Sequence, residues 1–179
     1  MQFVTCSGGR NKDIAALFRD TFTDSEGAEE GHVIHDLACA LLETTPPDDL
    51  RVYLAEEEGA PCGCAIFTRL RFAGDPRSAF ILSPMAVATA YQRKGVGQNL
   101  LIHALEDLRN EGVSVAVTYG DPNYYRRVGF RPVTIETVPA PLPLSMPEGW
   151  IAQSLTEDPL TPLNGPSVCA PALTRPDVW

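Results

Sequence analysis

At 179 residues, 44% apolar and 21% charged, the chain can bury a real core, and one domain spanning 1–179 is expected. The 14 Lys and Arg against 23 Asp and Glu leave a net charge of −9, which argues against nucleic acid as partner and suits a cationic substrate. No apolar run reaches the roughly 18 residues of a membrane span, and the first residues lack the regions of a secretion signal, so no membrane partner and a cytoplasmic location are expected.

In chain order, Phe3–Thr5 reads as a short strand and Ser7-Gly8-Gly9 as a turn. Asn11 is a good N-cap, and Ile14, Leu17, Phe18 and Phe22 then recur at helical spacing. Asp24 to Gly31 is acidic and reads as a loop. A second helix is expected from about Gly31 to Glu43, with Val33, Leu37, Ala40 and Leu41 facing inward, ended by Pro46-Pro47. Three strands follow, at Arg51–Glu56, Cys62–Phe72 and Ala79–Val87, with turns at Glu57–Pro61 and Gly74-Asp75-Pro76. Pro84 cannot donate a ladder bond, so a bulge or splay is expected there.

A long helix from Gly95 shows Val96, Leu100, Leu101, Ala104, Leu105 and Leu108 on one stripe, with Gly112 as its stop. Val113, Val115 and Val117 alternate as in a strand. Asp121 to Val128 reads as a short helix with Asp121 as N-cap and Pro122 in its first turn, and Arg131–Thr137 as a strand. Proline is dense in residues 139–179, where a strand at Trp150–Leu155 and an extended tail are expected. This order predicts a mixed α/β (α+β) sandwich whose sheet is largely antiparallel.

The five cysteines, Cys6, Cys39, Cys62, Cys64 and Cys169, are scattered and odd in number, so plain thiols are expected rather than a disulfide framework. Cys62-Gly-Cys64 puts two thiols on one strand face without a second pair to complete a zinc site. His32 and His35 lack the glutamate of H-E-x-x-H. No metal is expected.

The chemistry concentrates at Leu82–Asn99. A strand hands over to a helix through two cations, Arg93 and Lys94, and two glycines, Gly95 and Gly97. The unpaired N–H groups and positive dipole end of a helix start favour an anion, and glycine lets phosphates come close to the backbone. A nicotinamide dinucleotide site fits poorly, since Gly95-Val-Gly97-Gln-Asn-Leu100 lacks the third glycine of G-x-G-x-x-G.

Gln92-Arg93-Lys94-Gly95-Val96-Gly97 resembles the Q/R-x-x-G-x-G/A motif of the GCN5-related N-acetyltransferases (GNAT). Gly120-Asp-Pro-Asn-Tyr-Tyr-Arg-Arg-Val-Gly-Phe130 is similar to the signature of the YhbS-like acetyltransferases in that superfamily, and the Pro-rich ending is similar to that subgroup's tail. The resemblance implies the GNAT fold, with a mixed, mostly antiparallel sheet of about six to seven strands splayed at the cofactor site and flanked by about four helices.

It also implies an acetyl-CoA-dependent N-acetyltransferase. Acetyl-CoA would be the cosubstrate, its pyrophosphate on the backbone of Arg93, Lys94, Gly95, Val96, Gly97 and Gln98, with Gln92 also among the cofactor-binding residues. Met85, Ala86 and Val87 would pair with the pantetheine arm, and Tyr125, four residues before Gly129, would be the general acid. The acceptor would be a primary amine on a small molecule or protein, and the family includes homodimers. Tyrosine, with a pKa near 10, is protonated at neutral pH and can donate to a thiolate whose reference value is about 8.5.

No base is assigned. Phe80–Val87 contains no carboxylate, and the candidates are Glu56 at a strand end and Ser83 through a water. The competing reading is a non-catalytic acyl-CoA-binding module of the same fold.

Overall fold

The computed structural model describes residues 1–179. Its strands are β1 (Gln2–Thr5), β2 (Leu50–Glu57), β3 (Ala60–Phe72), β4 (Ala79–Val87), β5 (Val115–Tyr119), β6 (Arg131–Pro132), β7 (Trp150–Ser154) and β8 (Ser167–Val168). Its helices are α1 (Asn11–Glu26), α2 (Ala28–Thr44), α3 (Val96–Asn110) and α4 (Pro122–Tyr125). The sheet runs β1-β2-β3-β4-β5-β7-β6, with β8 against β3. β4 and β5 are parallel, whereas the β1–β2, β3–β8, β5–β7 and β6–β7 pairs are antiparallel. The expected mixed, mostly antiparallel α/β architecture with four helices is present, with eight strands in place of six or seven. Two compact units divide the chain, Met1–Phe67 with Pro84–Ala104 and Thr68–Ser83 with Leu105–Trp179.

In the first unit α1 buries Ile14, Ala15, Leu17 and Phe18, and α2 buries Ile34, Leu37, Ala38 and Leu41. Ile34 and Ala38, not Val33 and Ala40, complete the α2 stripe. The loop expected over Asp24–Gly31 shrinks to Gly27, whose φ of +101° breaks the helix while its N–H still bonds Thr23 O at 3.1 Å. Gly31, the expected boundary between loop and helix, lies inside α2. A Cβ there would stand 2.8 Å from Arg19 O, so the glycine serves close α1–α2 packing. The α1 N-cap is Arg10, not Asn11, and the Arg10 guanidinium reaches Asp13 at 3.1 Å, Glu56 at 2.9 Å and Gly59 O at 3.0 Å.

The central stripe of α3 is buried as expected, from Val96 to Leu108. Its end is a Schellman motif, with Gly112 N on Arg109 O and Val113 N on Leu108 O, both at 3.0 Å. Val113 is thereby spent on the helix end, which moves the expected 113–117 strand to Val115–Tyr119.

In the second unit the β4–β5 ladder runs from Ala79–Val115 to Leu82–Thr118, ending two residues before Pro84. β5 then pairs along its length with β7. The strand expected over 131–137 stops at Pro132, because Val133 N turns to Trp150 O and Thr134 O accepts from Thr137 and Val138 in a turn.

The Pro-rich tail is clasped by a partly buried ion pair. Asp75, 2% exposed, accepts from Arg77 Nε at 2.8 Å and from Asn164 N at 3.1 Å, and Arg77 donates to Pro162 O at 2.7 Å. The guanidinium and backbone donors hold the Asp75 carboxyl well below the usual carboxylate range. At the chain end Trp179 stacks on Tyr119 at 6.2 Å and packs near the fully buried Trp150.

Candidate active site

The glycine turn lies in the first unit. Ala88 N bonds Cys62 O at 2.9 Å as β4 ends, and a 3₁₀ turn over Thr89–Tyr91, which the sequence pattern did not reveal, precedes the motif. Gln92 Nε2 donates back to Val87 O at 2.9 Å, tying the turn to the strand end. Arg93 (φ +59°) and Gly95 (φ +80°) are both left-handed. Glycine adopts that conformation freely, and for arginine it is a strained position.

The helix starts at Val96, one residue later than expected, and its first bond runs from Asn99 N to Gly95 O at 3.0 Å. The N–H groups of Val96, Gly97 and Gln98 have no backbone acceptor, as the first turn of a helix dictates. Free amides of this kind are the donors that a helix start can offer an anion. Lys94 is folded back on the 3₁₀ turn, with Nζ 2.8 Å from Ala90 O and over the Tyr91 ring, while the Arg93 side chain is exposed. Thus Met85–Val87 and Gln92–Gln98, the predicted cofactor residues, are joined in one connected piece of backbone.

Tyr125 lies in the second unit. Asp121 caps α4 as expected, accepting from Asn123 N at 2.9 Å, and Pro122 is in the first turn. The helix passes into a 3₁₀ turn at Arg126–Val128 and closes at Gly129, φ +102°. Gly129 N bonds Arg126 O and Phe130 N bonds Tyr125 O, both at 3.3 Å. This is a second Schellman motif, and it brings the residue after the glycine against the third from the helix end. Phe130 therefore meets the Tyr125 ring edge-on at 5.7 Å. The Tyr-x-x-x-Gly-Phe spacing is thus a folding device that fixes the tyrosine.

At the end of β5 two further residues matter, and sequence reasoning gave neither a role. Gly120 lies under the Tyr125 ring, where a Cβ would stand 2.9 Å from Cε2. Thr118, 1% exposed, donates its hydroxyl to Leu82 O at 3.0 Å. Thr118 was detectable as a polar residue at the end of an apolar strand, but the strand was placed two residues early. Burial, followed by the neighbouring Tyr124, pushes Tyr125 up to about 12. Tyr124 packs edge-on against Tyr125 at 5.1 Å.

The candidates for a base fare differently. Glu56 is 15% exposed and ion-paired with Arg10 at 2.9 Å, so its carboxylate is already engaged. Ser83 is half-buried in β4. All five cysteines are free thiols, and burial raises the Cys62 and Cys64 thiols. His32 Nδ1 lies 2.6 Å from Ala28 O and His35 Nδ1 3.0 Å from Asp36. No group of three His, Cys, Asp or Glu is placed to hold a metal ion, and no helix is long and apolar enough to cross a membrane.

The chain thus combines a mixed sheet with a glycine turn at the head of its long helix. Residues 48–132 match the acetyltransferase (GNAT) domain. The uncharacterized N-acetyltransferase YjhQ of Escherichia coli (strain K12) is 37% identical over 140 residues, which is 75% of this chain and 77% of that protein. The chain belongs to the GNAT family of N-acetyltransferases. Among solved structures, the GNAT family N-acetyltransferase YhbS of Escherichia coli in complex with CoA superimposes with a TM-score of 0.78 at 23% identity, covering 97% of this chain and 92% of that one. A GNAT family acetyltransferase of Brucella melitensis in complex with acetyl-CoA gives a TM-score of 0.69 at 22% identity, covering 96% of each chain. These likenesses establish the fold.

Proposed function

We propose that this chain moves an acetyl group from acetyl-CoA to a primary amine by direct attack on the thioester. The observation that carries the cofactor half is the open head of α3, where Gly95 turns left-handed and leaves the Val96, Gly97 and Gln98 amides without backbone partners. Those amides suit a pyrophosphate, and the backbone of Met85–Val87 suits the extended pantetheine arm. The CoA and acetyl-CoA complexes of the two fold neighbours support the same ligand for this chain.

In the chemical step the amine nitrogen bonds the acetyl carbon, the C–S bond breaks, and Tyr125 donates its proton to the departing thiolate. The amine's surplus proton leaves to water. A phenol raised to about 12 is a weaker acid than free tyrosine. Complete transfer to a thiolate near 8.5 is then uphill by roughly 5 kcal/mol, so whatever stabilises the phenolate matters to the rate. The net charge of −9 favours a cationic acceptor.

The test is release of free CoA thiol from acetyl-CoA with a panel of diamines, amino acids and lysine peptides. Thiol release above the hydrolysis background with at least one amine is the expected result. Tight acetyl-CoA binding with no amine-dependent release from any of them favours the non-catalytic module, in line with the engagement of Glu56 by Arg10.

A further inference from the structure

Tyr119 ends β5, one residue before Gly120, and the chemical step above does not use it. Its ring is held on three sides. Trp179 stacks on it at 6.2 Å with the planes 21° apart, and Trp150 meets it edge-on at 6.4 Å. Gly149 lies against it, where a Cβ would stand 3.2 Å from Cε2. Trp179 is itself fixed by Nε1, which donates to Leu173 O at 2.7 Å. A ring pinned in an aromatic stack places its polar tip with little freedom. That tip, Tyr119 Oη, accepts from Met146 N at 2.6 Å and lies 3.1 Å from Ser145 Oγ.

The bond to Met146 anchors a short turn over Pro147–Gly149. Gly149 N donates to Met146 O at 2.8 Å, and Gly149 O accepts from Gly120 N at 3.0 Å. The fit is close, since a Cβ on Gly149 would stand 3.1 Å from Gly120 O. Gly120 is in turn the floor of the Tyr125 ring, where a Cβ would stand 2.9 Å from Cε2. One tyrosine hydroxyl thus holds the turn, the turn holds Gly120, and Gly120 seats the second tyrosine. We propose that Tyr119 is a positioning residue for Tyr125, its hydroxyl clamping the Met146–Gly149 turn that fixes Gly120 under the reacting ring. This rests on the reading of Tyr125 as the acid.

The experiment compares Tyr119→Phe, which keeps the stacked ring and loses the hydroxyl, with two changes at the residue stacked on it. Expected for Tyr119→Phe are a turnover about tenfold lower and an unchanged KM for acetyl-CoA. A fall in the Tyr125 titration followed by ¹³Cζ NMR is also expected, because burial raises it and a ring that drifts off its floor gains water. Trp179→Phe, which keeps a ring against Tyr119, is expected within about twofold of wild type. Trp179→Ala, which frees that ring, is expected to reproduce Tyr119→Phe in both readouts. In a Tyr125→Phe background Tyr119→Phe is expected to cost nothing further. Wild-type turnover and an unmoved Tyr125 titration in Tyr119→Phe overturn the assignment. So does a further tenfold loss in the Tyr125→Phe background, which would make Tyr119 act on something other than Tyr125. If Tyr125→Phe is itself fully active, the acid reading fails, and the ¹³Cζ titration still decides whether Tyr119 holds the phenol in place.

Discussion

The glycine turn and the tyrosine cradle are built in opposite ways. The turn over Gln92–Gly95 is exposed, and what it offers is backbone: two left-handed residues and three open amides. The cradle in the second unit offers a single side chain, and its surroundings (a glycine below and a phenylalanine at the edge) aim that chain. A backbone site depends on which residues permit its φ values, whereas a side-chain site depends on its neighbours. Mutations should therefore separate binding from chemistry along this line.

The largest expected effect is on the cradle. Tyr125→Phe should slow turnover at least about 100-fold, with acetyl-CoA affinity within about twofold of wild type. Calorimetry with a thiol-release assay checks both, and equal losses in the two would blur the division.

The alkaline range gives a related check. The folded value of Tyr125 is raised to about 12, above an unfolded value near 10. The stability linked to that proton is complete below about pH 10 and is lost as pH rises through 10 to 12, by about 2–3 kcal/mol. Tyr125→Phe should lack this loss in denaturant titrations across that range. The same shift means that no falling limb of kcat below about pH 10 should belong to Tyr125.

Asp75→Asn sharpens the comparison by touching neither site. Asp75 is depressed by Arg77 and contributes stability above the ordinary carboxylate range, which fades as pH falls below about 4. The variant should lose about 2 kcal/mol of stability at neutral pH, with kcat and acetyl-CoA affinity kept.

Gly95→Ala forces an L residue into φ +80° and puts a methyl where a phosphate would approach. Acetyl-CoA should bind about tenfold more weakly, with kcat at saturation near wild type. The smallest effect is expected from Gly120→Ala. The added Cβ displaces the Tyr125 ring by a few tenths of an ångström, and turnover should fall about fivefold at unchanged affinity.

The same contrast governs what was legible in the sequence. Glycines and helical stripes announce backbone geometry, so the turn, the α3 core face, the Asp121 cap and the Gly129 stop could all be read from residue type and spacing. Residue pattern alone starts α2 at Gly31, three residues late, because a packing glycine and a boundary glycine look alike until the Arg19 carbonyl is seen beside it. The Thr118–Leu82 bond and the Arg10–Glu56 pair join residues 36 and 46 apart in the chain, and nothing local to either partner signals them. The Tyr125 spacing was recognisable as a motif, yet its physical reason, a Schellman closure that seats Phe130 on the ring, needed the hydrogen bonds.

The most direct measurement is a backbone-amide NMR titration of the ¹⁵N-labelled protein with CoA. The amides of Gly95, Val96, Gly97 and Gln98 are expected to shift farthest. Saturable CoA binding that leaves those four amides unmoved would contradict the placement of the pyrophosphate at the head of α3.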